Sequence, residues 1–312
     1  MKKNRIIFSL TTRGFYSELF NLSLALVYAD HYHLRIKLNT WLWNSRLVKG
    51  WQDYFEPTLE CCNNLLSAQD NVYTKEKPWI GKIYYKPKEF YTFYYRQIVN
   101  HLYCLFHPHD LLTKDVFEKM RSDEFIHDIL GTKAFGLLSL SYKQIYKLNK
   151  ETNDYITQAI NKLALPSNYI GVHIRRGDKI TSEEMHEIRL DNYINTIIQH
   201  QEISNNVYIA TDDVSVIDYI RTKLYCHDIN VYYNSLNNST GYDLNIFNRA
   251  SMQERREESI NVLLDMEVLI NAKFFIGTYT SNLSRVVPFY LGLEKCISLD
   301  NDWNIINSSN GL

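Results

Sequence analysis

An apolar strand that ends in two adjacent arginines is the most chemically suggestive stretch of the chain. It runs from Tyr169 to Lys179 as YIGVHIRRGDK. Arg175 and Arg176 leave the strand where open α/β sheets bind ligands. A guanidinium is a planar, permanently charged fork that matches phosphate oxygens. The competing explanation is a strand end that makes surface salt bridges, with Arg176 as an internal partner. Glu183 and Glu184 follow shortly, near Lys179. Each is either a general base for a hydroxyl or a solvated loop charge. Thr211-Asp212-Asp213 follows another apolar run, and adjacent carboxylates there suit Mg²⁺. They equally suit a helix start, with Asp212 as cap and Asp213 in the first turn. Asp265 sits among apolar residues of a helical stretch, where a carboxylate needs a partner. It either accepts two N–H bonds from a guanine edge or makes a structural hydrogen bond. Thr278 to Ser281 precede a helix, giving either an anion site or a plain N-cap. Arg176-Gly177-Asp178 also spells an adhesion triplet, which so short a match does not support.

The elements that must position these residues alternate. Residues 5–10 read as a strand, 11–15 as a turn, 16–28 as a helix with Ser17 as N-cap, and 34–38 as a second strand. That is a βαβ unit. Residues 40–60 are tryptophan-rich, and 70–115 read as irregular or short elements. There, Trp79, Tyr84, Tyr85, Phe90 and Tyr91 either line an acceptor groove or pack under loops. A short helix is expected near Val116–Met120 and a longer one over 141–163, ended by Pro166. The second half reads as strands at 169–174, 207–210, 230–233, 273–277 and 295–299. Helices at 189–200, 214–224, 256–271 and 281–291 separate them, with a polar loop over 234–255. The expected fold is α/β: two Rossmann-like domains, 1–165 and 166–312, with doubly wound, mostly parallel sheets. There is no internal repeat, Walker motif or GxGxxG pattern.

Composition excludes several classes. The 312 residues are 45% hydrophobic and 22% charged, ordinary globular values. A net charge of −1 provides no bulk attraction to nucleic acid. Five scattered cysteines, an odd number without a Cys-x-x-Cys pair, do not form a disulfide framework or a structural zinc site. No run approaches the ~18 apolar residues of a membrane span, and the basic start lacks a signal-peptide core. The expectation is a cytoplasmic protein with no transmembrane segment and no nucleic-acid partner.

The arginine string then resembles a known pattern. His173 to Lys179 (HIRRGDK) is similar to the His-x-Arg-Arg-x-Asp-Lys motif of α1,6-fucosyltransferases. The resemblance continues in order with Tyr208–Asp213, Asp265 and Thr278–Arg285, and more patchily with Arg13–Leu19 and Gly50–Pro57. It implies a GT-B architecture, with a C-terminal domain holding GDP-fucose and an N-terminal domain on the acceptor side. It implies inverting, metal-independent transfer without a cofactor, with O6 of a GlcNAc-containing glycan or chitooligosaccharide-like acceptor favoured. By position, Arg175 would stabilise the departing β-phosphate, and His173 and Asp265 would hold guanine. Ser281, Asn282 and Leu283 would hold the phosphates. Glu183, aided by Lys179, would deprotonate the acceptor hydroxyl. Asp178, Asp212 and Asp213 would shape the site, and Gly14 and Phe15 would approach the donor. Glu18, Tyr16 and Asn282 depart from the family's usual residues. A compact form is expected, without the membrane anchor, stem and SH3-like module of vertebrate members. The alternatives are an α1,2- or other fucosyltransferase, a non-catalytic sugar-nucleotide or glycan-binding protein, and a metal-dependent transferase using Asp212 and Asp213.

Overall fold

The computed structural model describes residues 3–69, 87–177, 180, 186–235 and 239–303, with backbone alone over 87–93. The chain divides into two compact units, Met1–Asn149 and Lys150–Leu312. The division falls earlier than residue 165, because helix Lys150–Lys162 belongs with the second unit.

In the first unit, β1 (Arg5–Ser9), β2 (Arg35–Asn39), β3 (Glu60–Cys62) and β4 (Asp110–Leu112) form a parallel sheet in the order β3-β2-β1-β4. Ile6, Ile7 and Phe8 are all buried, as expected of a strand covered on both faces. Parallel pairing requires a crossover, and α1 (Phe15–His31) supplies it with most of its length buried. Gly14 occupies the N-cap position and Ser17 lies inside the first turn, because Glu18 N already bonds Gly14 O at 3.1 Å. The tryptophan-rich stretch forms an aromatic cluster: Trp43, Trp51, Tyr54 and Phe55 are buried, with Trp51 stacked on Phe55 at 4.4 Å.

Two readings are corrected here. Residues 87–106 are a 20-residue helix, α2 (Pro87–Phe106), rather than short elements. It carries apolar side chains on opposite faces, so no single helical stripe stands out. The helix expected over 141–163 is two helices. After α3 (Thr113–Met120) come α4 (Ala134–Ile145) and α5 (Lys150–Lys162). Leu148 bridges to Phe55, and Asn149 N bonds Tyr54 O at 2.9 Å, drawing the chain out of helix between them.

The second unit holds β5 (Ile170–Ile174), β6 (Asn206–Thr211), β7 (Asn230–Tyr233), β8 (Phe274–Gly277) and β9 (Cys296–Ser298). All pair in parallel in the order β7-β6-β5-β8-β9, so the arginine-bearing strand is central. Helices α6 (Leu190–Gln199), α7 (Ser215–Tyr225), α8 (Leu244–Arg249), α9 (Met252–Leu269), α10 (Asn282–Val286) and α11 (Pro288–Leu291) connect them. The loop expected over 234–255 thus contains α8, capped by Asp243. A side chain at Gly171 would start 3.0 Å from Leu269 Cδ2 and 3.1 Å from Ala272 Cβ, so glycine lets the end of α9 approach β5. No described helix is long and apolar enough to cross a membrane.

Buried Asp110 ties α2 to the first sheet. It accepts Arg5 Nε and Nη2, both at 2.9 Å, and Tyr103 OH at 2.7 Å. Burial pushes its carboxyl up, but the bonds from Arg5 and Tyr103 outweigh this and hold it below its ordinary value. Asp110→Ala leaves the guanidinium and the phenol without this partner and is expected to destabilise the fold by about 3 kcal/mol. The check is the urea midpoint of unfolding; an unchanged midpoint would show that the cluster holds nothing together.

Candidate active site

The strands of the second sheet are parallel, so their C-terminal ends share one edge. The chain runs from β5 outward through β6 to β7, then returns to β8 on the other side of β5. The point of reversal, here beside the end of β5, is the usual ligand position in such sheets.

Asp212, just after β6, organises the loops there. Its Oδ2 lies 3.0 Å from Arg175 Nη1 and accepts Tyr242 N at 3.3 Å, while its Oδ1 accepts Arg176 N at 2.7 Å. Its carbonyl accepts Gly241 N at 2.8 Å. The Arg175 guanidinium lies over the Tyr242 ring, 4.9 Å from its centroid. A Cβ on Gly177 would fall 2.3 Å from Tyr242 O, so only glycine lets the arginine loop meet the 241–242 loop. The two arginines diverge: Arg176 pairs with Glu187 at 2.5 Å. Asp212 does not cap α7. The N-cap position is Val214, and Asp213, one residue earlier, accepts Ser215 N at 3.0 Å.

On the other side of β5, the ring of buried His173 contacts Ser284 Oγ through Nδ1 at 2.7 Å. Burial, aided by the Arg175 charge, lowers its pKa to about 3, so the imidazole is neutral. Ser281 holds the N-cap position of α10 without a side-chain cap bond; Ser281 and Leu283 are buried and Asn282 is half-buried. Thr278 Oγ1, at the end of β8, is buried with no hydrogen-bond partner among the described residues. Asp300 fixes this loop. It accepts Tyr279 N at 2.6 Å, Thr280 N at 3.1 Å, Ser298 Oγ at 2.7 Å, and the Thr280 hydroxyl. Burial raises its carboxyl, but the bonds led by Thr280 and Ser298 prevail and hold it below the ordinary range.

Asp265 is buried in α9 and accepts Tyr208 OH at 2.6 Å. Burial lifts its pKa to about 7; the tyrosine bond opposes this and Glu258 adds to it. Glu258 is raised by burial and by Asp212, against the pull of Arg175. It therefore joins the Asp265 side of the site electrostatically to the Arg175–Asp212 pair. A small crevice lined by Ile209, Thr211, Val214, Tyr233, Asn234 and Asp265 opens there. Sequence reasoning missed Glu258, Asp300 and Tyr242. Glu258 and Asp300 look like surface charges, and Tyr242 lies 30 residues from its partner Asp212.

Gly14 and Phe15 lie in the first unit. Phe15 is half-buried, its ring 5.6 Å from Trp43 and 5.8 Å from Tyr54. Nearby, Thr11 Oγ1 donates to the buried Glu18 carboxylate at 2.6 Å. Asp178, Lys179 and Glu183 lie outside the described residues, as do Glu184, Trp79, Tyr84 and Tyr85 and the side chains of Phe90 and Tyr91. Among the described residues, no three His, Cys, Asp or Glu side chains cluster as metal ligands.

Comparison with known proteins places this geometry. A family model described as alpha-(1,6)-fucosyltransferase N- and catalytic domains matches residues 20–291. An alpha-(1,6)-fucosyltransferase of Drosophila melanogaster is 24% identical over 153 residues, 46% of this chain and 23% of the fly protein. The match thus spans under a quarter of that relative's length. Among solved structures, NodZ alpha-1,6-fucosyltransferase co-crystallized with GDP gives a TM-score of 0.52 at 16% identity, covering 96% of each chain. Fucosyltransferase NodZ from Bradyrhizobium gives 0.53 at 16% identity, over 93% of this chain and 94% of that one. POFUT1 in complex with GDP-fucose gives 0.53 at 10% identity, with the same coverages. At such identities these likenesses show the fold, a GT-B fold of two Rossmann-like units. The family match extends over most of the chain, so this protein belongs to the α1,6-fucosyltransferase family.

Proposed function

We propose that the chain transfers fucose from GDP-fucose, with inversion and without a metal, to O6 of GlcNAc in a glycan or chitooligosaccharide-like acceptor. The observation that carries this reading is the convergence of the family's ordered motifs on one sheet edge. His173, Arg175, Asp212 and Ser281 come from the ends of three adjacent strands, β5, β6 and β8. The first unit is the acceptor side and the second the donor side. The scattered free cysteines suit a cytoplasmic setting.

Arg175 faces the β-phosphate, where negative charge grows as the leaving group departs. A preorganised cation there stabilises the transition state more than the ground state. Asp212 holds that guanidinium, and with Asp213 and Asp178 it shapes the site beside ribose and fucose. Ser281, Asn282 and Leu283 offer side-chain and backbone donors to the phosphates, and His173 and Asp265 hold guanine. Gly14 and Phe15 approach the donor. Glu183, aided by Lys179, accepts the proton of the acceptor hydroxyl. The acceptor oxygen bonds to the anomeric carbon from the face opposite GDP, and the electron pair of the breaking C–O bond leaves on the β-phosphate. Both Asp212 oxygens already accept N–H donors, which favours charge neutralisation by arginine over a divalent ion. The deciding experiment is a donor and acceptor screen in excess EDTA, with product linkage and anomer determined by NMR. Transfer to O6 is expected. An O2 product identifies the α1,2 alternative, and tight GDP binding without transfer or donor hydrolysis identifies a binding protein.

Arg175→Ala is expected to lose about 100- to 1,000-fold in kcat/KM; near-wild-type turnover would sink the assignment. Glu183→Gln is expected to keep GDP affinity while kcat falls by at least about 100-fold, and an unchanged kcat removes Glu183 as base.

Asp265 adds a pH signature. Guanine N–H donors need the ionised carboxylate, yet the free protein holds this group neutral below a pKa of about 7. GDP binding must then expel one proton below that value. Affinity is expected to rise about tenfold per pH unit up to pH ~7 and then level off. Asp265→Asn should abolish the slope. Calorimetry in buffers of different ionisation enthalpy reads the proton directly, and pH-independent GDP binding by the wild type would remove Asp265 from the guanine site.

A further inference from the structure

Helix α2 presents an apolar stripe that the other described residues of its unit leave exposed. Tyr95, Ile98, Leu102 and Leu105 are 53, 62, 48 and 62% exposed, and Phe106, at the helix end, is 80% exposed. The first four are spaced three, four and three residues apart, the heptad seam along which two helices interlock. Opposite lies a finished inner face. Val99, Asn100 and Tyr103 are buried, Asn100 Nδ2 donates to Leu66 O at 2.9 Å, and Tyr103 OH donates to Asp110. Lys, Asp and Glu are absent from residues 94–106, and Arg96, the only Arg, donates to Leu65 O at 3.3 Å. An exposed helix face normally carries charges of both signs.

We propose that this stripe is a self-association surface, meeting the same stripe of a second copy of the chain. The area is adequate. At ~200 Å² for each fully exposed side chain of this size, the five exposures leave about 600 Å² per copy. Two copies face to face would then bury about 1,200 Å², past the ~1,000 Å² expected of a specific interface. The seam is self-complementary, as a two-fold contact requires. Its uncharged character fits another apolar seam better than an anionic lipid surface, which would call for flanking lysine or arginine.

The test uses the full chain in sedimentation equilibrium over a wide concentration range. A reversible dimer is expected, and Ile98→Glu with Leu102→Glu should weaken it at least about 100-fold with unchanged far-UV circular dichroism. A wild type that stays monomeric at every concentration overturns the proposal, including the case where residues 70–86 of the same chain cover the stripe. A dimer that survives the double substitution overturns it as well. Should the double variant lose helicity, Leu102→Cys under mild oxidation decides. A covalent dimer above the wild-type background supports the seam, and its absence refutes it. None of these readings depends on fucosyl transfer.

Discussion

The contact on which the second unit's edge depends is the carboxylate of Asp212. It joins three stretches that are distant in sequence: the arginine loop after β5, its own turn after β6, and the 241–242 loop. Little is gained in stability from such a pair, because desolvating two charges offsets most of their attraction. What the pair provides is position. Arg175 is held on one side by the carboxylate and on its face by the Tyr242 ring. A flexible cation would lose rotamer freedom on meeting a phosphate; a held one has lost it already. Gly177 belongs to the same device, since any side chain there would collide with the backbone that donates to Asp212.

The edge is polar along its length as well as across it. Three carboxyl groups, Asp265, Glu258 and Asp212, influence one another or Arg175 in turn. Burial raises the first two, which Glu258 and Asp212 reinforce, and Arg175 stands at one end of the row. In the proposed reading this suits a ligand with hydrogen-bond donors at one end and anionic oxygens at the other. A nucleoside diphosphate has that polarity, with guanine N–H groups, ribose hydroxyls and phosphates in order. A uniformly basic crevice would hold the phosphates but leave the base and ribose donors unanswered.

What the sequence made legible follows from range. The strands of the second unit read clearly because each is a short β-branched or aromatic run closed by polar residues, a local pattern. Their order in the sheet, β7-β6-β5-β8-β9, is set by long-range pairing and was not read from the sequence. The motif residues were identifiable by type and spacing, but their partners were not. Asp212 finds Arg175 across a strand pair, Asp300 reaches back 20 residues to Thr280, and Glu258 carries no mark that separates it from solvated neighbours. The break between α4 and α5 has the same origin. Local periodicity favours one helix, and a bridge from Leu148 to Phe55 overrides it. Helix α2 was illegible for the opposite reason. Its local pattern is apolar on two faces, which matches no single template.

That two-faced helix raises the question of why one particular face points inward. Rolling α2 about its axis would exchange Val99 and Tyr103 for Ile98 and Leu102. The apolar areas are similar, so the hydrophobic term nearly cancels. Hydrogen bonds break the tie. Gln69 joins Asn100 at 3.0 Å through Nε2, accepts Lys114 N at 2.6 Å, and donates its own N–H to Ser9 Oγ at 3.1 Å. Ser9 N in turn donates to Thr113 Oγ1 at 2.7 Å. A roll would strip Asn100 and Tyr103 from these buried partners, at about 1–3 kcal/mol for each group left unsatisfied. The inward face is thus selected by polar satisfaction rather than by hydrophobicity. The apolar stripe faces outward as a consequence, with its orientation fixed before any partner arrives.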